Sequence, residues 1–107
     1  MASRQELVDY ITEQMSGAGE VRSRKMFGEY AGYCDEKVVA FICDDRLLMK
    51  LTPASLEILP DASHEDAYPG SKPYIRVSED LFDDREFMMS FARKTADSLP
   101  APRPKKR

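Results

Sequence analysis

The chain has 107 residues, 42% of them hydrophobic and 33% charged, with a formal net charge of −3. That length fits one domain able to bury about two-thirds of its unfolded surface, and the composition excludes a disordered chain or a membrane span of roughly 18 apolar residues. Arg103, Lys105, Lys106 and Arg107 close the sequence and leave 12 basic against 19 acidic residues before them, a net −7. A body this acidic is a poor nonspecific binder of phosphate backbones.

In chain order, Ser3 and Glu6 have the spacing of a capping box, in which hydroxyl and carboxylate each serve a free backbone N–H. Leu7, Val8, Ile11 and Met15 follow at helical spacing and Gly17 stops the run, which predicts an amphipathic helix of about 13 residues. Met1 to Tyr10 alternates charge and apolarity. It therefore lacks the apolar core of a secretory signal, and the protein is expected in the cytoplasm.

From Val21 to Leu51 the period becomes two, as in a three-strand antiparallel meander. Arg22, Arg24 and Met26 lead through Phe27 and Gly28 to Tyr30, Tyr33 and Cys34, with a turn at Asp35–Glu36. Val38 to Cys43 is a dense β-forming run stopped by Asp44–Asp45, and Leu47, Met49 and Leu51 alternate beyond it. Tyr30 and Tyr33 have opposite parity, so a bulge at Ala31–Gly32 is expected to bring both to one side.

Thr52–Pro53 starts a short helix through Leu59, ended by Pro60. Asp61 to Pro73 reads as a polar loop, and Tyr74 to Val77 as another strand. Ser78 is expected to cap a last helix marked by Phe87, Met88, Phe91, Ala92, Thr95 and Leu99. The fold class is therefore α+β: an antiparallel sheet of about four to five strands with terminal helices packed on one face. Its order is helix, three strands, short helix, strand, long helix. Residues 1–99 form the domain and 100–107 a Pro/Lys/Arg-rich tail expected to be disordered.

Cys34 falls beside the Asp35–Glu36 turn and Cys43 at the far end of the next strand. The separation is on the order of 20 Å at about 3.3 Å per residue, whereas a disulfide needs Cα atoms within roughly 7 Å. Two free, half-buried thiols are expected, as suits a reducing compartment.

No residue pattern spells a catalytic, cofactor or metal site. His64 is the sole histidine, and with two separated cysteines it fits no metal-ligand spacing. Asp44–Asp45 and Asp83–Asp84 are adjacent pairs suited to turns and helix starts, not acids facing each other across a cleft. The serines lack a nucleophile-elbow context, and Gly28 with Gly32 is no phosphate cradle. The protein is accordingly expected not to be an enzyme. The most distinctive chemistry is Arg22, Arg24 and Lys25 beside Phe27, Tyr30 and Tyr33. Such a strand could stack and contact a nucleic acid. In the plainer reading the cations guard a sheet edge while Met26 and nearby aromatics fill the core.

The block Ser23 to Tyr30, with Tyr33-Cys34-Asp35 and Phe41 to Lys50 in register behind it, resembles the N-terminal domain of the TfoX/Sxy family. Tyr68 to Tyr74 and Asp84-Arg85-Glu86 resemble short stand-alone members. Glu29, Ala31 and Glu36 stand where that family commonly has glycine. The resemblance implies a small α+β domain regulating bacterial competence as a transcription coactivator, partnered by an activator or a polymerase component. It supplies no catalytic residues, and it makes Met26, Phe27 and Gly28 a structural motif. The expected interaction surface is Arg22, Arg24, Lys25, Tyr30 and Tyr33. Direct nucleic-acid binding by that strand and the tail, or a small ligand under the Tyr68–Tyr74 loop, are the alternatives. A homodimer through an open sheet edge is also compatible with the pattern.

Overall fold

The computed structural model describes residues 4–26, 29–67 and 70–100. Helix α1 spans Gln5–Met15 and runs into a 3-10 turn, Ser16–Ala18. Four strands follow: β1 (Val21–Met26), β2 (Glu29–Cys34), β3 (Lys37–Cys43) and β4 (Arg46–Lys50). Helix α2 (Pro53–Ile58), β5 (His64–Asp66), β6 (Pro73–Val77) and, after a 3-10 turn at Glu79–Leu81, helix α3 (Arg85–Asp97) complete the order. One six-stranded antiparallel sheet results, ordered β1-β2-β3-β4-β6-β5.

The expected α+β architecture is observed, with six strands rather than four to five. Two differences account for the number. The first expected strand divides into β1 and β2, with Met26 paired to Glu29 across the break. The polar loop contributes β5, whose three residues pair with β6 (Glu65 opposite Tyr74) although none is a strong strand former. Long-range pairing to an existing strand overrides their weak propensity.

Turns follow local chemistry. Asp35 and Glu36 have φ of 52° and 71°, and Asp44 and Asp45 have 55° and 62°, the two-residue geometry whose twist matches antiparallel strands. Asp tolerates this region because its short side chain bonds nearby backbone. Asp35 Oδ1 accepts the Glu20 N–H at 2.9 Å and the Asp35 N–H returns to the Glu20 carbonyl at 2.9 Å.

Helix ends were partly legible. Thr52 caps α2 as expected, accepting the Ser55 N–H at 3.1 Å with Pro53 in the first turn. Arg4 holds the N-cap position of α1 without a side-chain cap, and Ser3 lies outside the described residues. Ser78 accepts from Asp80 at the 3-10 turn, whereas Asp84 caps α3 through the Phe87 N–H at 3.0 Å. The expected Ser78 cap therefore belongs to the turn preceding α3.

Both long helices cover the same face of the sheet. Val8, Ile11 and Met15 from α1 and Met88, Phe91, Ala92 and Ala96 from α3 pack on Tyr30, Cys34, Val39, Ala40, Ile42, Leu47, Met49 and Val77. The opposite face carries a smaller buried cluster of Ala31, Phe41, Cys43, Leu48 and Tyr74.

The bulge lies one strand from its expected place. Gly32 pairs with Ala40 and Tyr33 with Val38, so the extra residue is Val39 in β3. Val39 and Ala40 both enter the helix-side core as a result. Tyr30 and Tyr33 are not brought together: Tyr30 packs on the helix side and Tyr33 against the opposite cluster.

Candidate interaction surface

β1 is an outer strand, paired on one side by β2 and, among the described residues, by no strand on the other. Its sequence VRSRKM alternates half-buried and exposed positions as far as Arg24, after which Lys25 is exposed as well and Met26 is half-buried. Arg22 stands opposite Tyr33 and Arg24 opposite Ala31. Paired residues share a face, so both arginines lie on the helix-free side. Lys25 is opposite Tyr30 and therefore belongs to the other side.

Only part of the expected surface is assembled by this register. The Arg22 guanidinium lies over the Tyr33 ring at 4.6 Å from its centroid and pairs with Glu36 at 3.0 Å, an exposed cation–π contact worth about 0.5–1 kcal/mol. Arg24 and Lys25 are exposed. Tyr30 is 7% exposed, with its hydroxyl donating to Gln5 Oε1 at 2.9 Å. That bond ties β2 to α1 and withdraws Tyr30 from the surface. Met26 is half-buried against the helix-free cluster, and Phe27 and Gly28 lie outside the described residues.

A clasp missed by pattern reading fixes where β1 begins. Arg93 of α3 donates through one nitrogen to Asp35 Oδ2 at 2.7 Å and to the Ala18 carbonyl at 2.9 Å. It also reaches Asp97, one turn on, at 2.7 Å. The Arg93 and Glu20 N–H bonds hold the Asp35 carboxyl below its ordinary pKa. Gly19 passes beside this clasp with φ 152° and ψ −148°. Ala18, Glu20, Asp35 and Arg93, separated by up to 75 positions, therefore set the first rung of the sheet, Val21 opposite Cys34.

At the other side of the helix-free face, Glu65 accepts from Arg46 and, at 3.3 Å, from Arg76. Phe41 and Tyr74 pack at 5.5 Å between centroids. Ala67, just past β5, joins this cluster, its carbonyl 3.6 Å from Cys43 Sγ. Cys34 and Cys43 are both buried and unbridged, in opposite clusters. Burial pushes both thiols up in pKa.

The remaining sequence candidates are dispersed. His64 is exposed at the start of β5. Asp44 and Asp45 occupy a turn, where Asp45 takes the Arg4 N–H at 2.9 Å. Asp83 accepts from Tyr10, and Asp84 caps α3. No three His, Cys, Asp or Glu side chains among the described residues converge as metal ligands. No helix among them is long and apolar enough to cross a membrane.

Residues 13–99 match the family described as the TfoX N-terminal domain. The chain belongs to that family. It is also 40% identical over 106 residues to a protein of Spirochaeta aurantia described as an uncharacterized 12.7 kDa protein in the trpE 5′ region, covering 99% of this chain and 91% of the relative. The TfoX N-terminal domain match spans the clasp, all six strands, α2 and α3, and the last three residues of α1.

Proposed function

We propose that this TfoX N-terminal domain is a non-enzymatic regulatory module of the bacterial cytoplasm, acting in competence or transcription control by engaging a protein partner along β1. The observation that carries the reading is an outer strand whose exposed cations, Arg24 and Lys25, have no ion-pair partner among the described residues. An extended partner segment could add to that edge through main-chain hydrogen bonds, with acidic side chains meeting Arg24 and Lys25. The partner class is a transcription activator or a polymerase component, as family membership suggests. A second copy fits less well, because antiparallel pairing of β1 with itself would bring two sets of arginines together. The net −7 body likewise disfavours a nucleic-acid backbone as the partner.

Affinity capture of the tagged protein from native bacterial cytoplasm, beside the Arg24→Glu variant, tests this. Recovery of an activator or polymerase component by the wild type and its loss in the variant is the expected result. Retention of the same partner by the variant would remove β1 from the interface. Recovery of nucleic acid alone, with steeply salt-dependent binding, would replace the protein-partner reading.

A further inference from the structure

A cleft of about 540 Å³ opens where the end of β4 meets the start of β6 and the segment following α3. Lys50, Ser71, Lys72 and Tyr74 line it together with the apolar side chains Leu51 and Leu99. Its volume lies within the range of pockets that enclose small organic molecules. Lys50 stands opposite Tyr74 across the β4–β6 pair and so faces the helix-free side.

Among the described residues the positive charge in this cleft is uncompensated, as it is at Arg24 and Lys25 on β1. Arg4, Arg22, Arg46, Arg76, Arg85 and Arg93 each pair with a carboxylate. Lys50 and Lys72 do not, among the described residues, and no acidic residue lines the cleft. Lys50 is also half-buried, and burial together with the neighbouring Lys72 charge depresses its pKa. A desolvated ammonium beside a like charge is unfavourable unless an anion completes the group.

The loop bearing the second lysine is held in place. Ser71 Oγ accepts the Ala67 N–H at 3.0 Å and donates to the Lys72 carbonyl at 3.0 Å. The two cations are thus presented on a strand end and a tethered loop, beside an apolar wall. We propose that this cleft binds a small phosphate monoester with an apolar body, its dianionic head between Lys50 and Lys72 and its body against Leu51, Leu99 and the Tyr74 ring. A dianion neutralises both lysines, whereas a monocarboxylate of the same size leaves one repulsion uncompensated. This site is separate from the β1 edge and stands or falls independently of the partner proposed there.

Phenyl phosphate is the probe, titrated into the ¹⁵N-labelled full chain at a pH where its phosphate is doubly ionised. Amide shifts are expected at Lys50, Leu51, Ser71, Lys72 and Leu99. Affinity should fall at least roughly tenfold in Lys50→Gln and in Lys72→Gln, as expected for losing one hydrogen bond to a charged group. Lys72 is exposed, so its variant retains the fold and keeps the test decisive if Lys50→Gln does not. The Lys50 side-chain pKa, followed by NMR, should rise when the site is saturated. Benzoate should bind more weakly than phenyl phosphate. Absent shifts, shifts centred on Arg22 and Arg24, or unaltered binding in Lys72→Gln would overturn the assignment. So would equal binding of benzoate. Displacement of phenyl phosphate by an oligonucleotide at lower concentration would replace the small ligand with a nucleic-acid backbone.

Discussion

Gly19→Ala should destabilise the domain through the clasp that begins β1. Gly19 has φ 152° and ψ −148°, a region essentially closed to L side chains that costs on the order of 1–3 kcal/mol to occupy. The new Cβ would also lie 2.7 Å from Asp35 Oδ1 and 3.1 Å from an Arg93 guanidinium nitrogen. The Asp35 carboxylate cannot swing aside freely, because it accepts both the Glu20 N–H and Arg93. The loss should therefore reach at least the middle of the strain range. With a urea slope of about 1–3 kcal/mol per molar, a loss of about 2 kcal/mol moves the midpoint by roughly 1 M. Gly70→Ala is the internal control: φ there is 86°, with nothing within 4 Å of an added Cβ, so it carries only the left-handed backbone cost of about 1–2 kcal/mol. Urea unfolding of both variants by circular dichroism is the assay. A Gly19→Ala shift no larger than that of Gly70→Ala would refute the clasp as the element that fixes the start of β1.

The same clasp predicts a pH dependence. The folded Asp35 carboxyl is held below its ordinary pKa, first by the Arg93 bond and then by the Glu20 N–H, so the unfolded chain binds more protons there. Its contribution is present above the ordinary value near 3.8 and is lost as pH falls through the lowered one. Asp35→Asn should be less stable than wild type at neutral pH and lose less on acidification, and parallel urea-midpoint profiles for the two proteins would contradict this. Both thiols should resist labelling while the protein is folded. Cys34 and Cys43 are buried on opposite faces with raised pKa values, so a chromogenic disulfide reagent should react at least roughly a hundredfold faster in denaturant. Rapid labelling in buffer, or an oxidised Cys34–Cys43 bridge in the folded chain, would show that one of them reaches the surface.

Much of the local structure was written in the sequence because its causes are local. The stripe Val8, Ile11 and Met15 sets the buried side of α1, and Phe91, Ala92 and Thr95 that of α3. Thr52–Pro53 starts α2 where side chain and ring together satisfy and preset the first turn. Asp35–Glu36 and Asp44–Asp45 mark the β2–β3 and β3–β4 turns. Alternation also separated Cys34 from Cys43 and placed Arg22 and Arg24 at exposed positions.

Tertiary pairing decided the rest. The extra residue sits at Val39 in β3, so β2 keeps its alternation, and Tyr30 enters the helix-side core while Tyr33 lies under Arg22 on the other face. β5 exists because β6 offers an unpaired edge, not because His64-Glu65-Asp66 favours a strand. Lys50 and Lys72 share a cleft only because α2 and β5 intervene in the chain while β4 and β6 pair in space. Periodicity reports which side of an element is apolar. It carries no information on which distant element that side will meet, because that choice is made by hydrogen bonds and burial summed over the whole sheet.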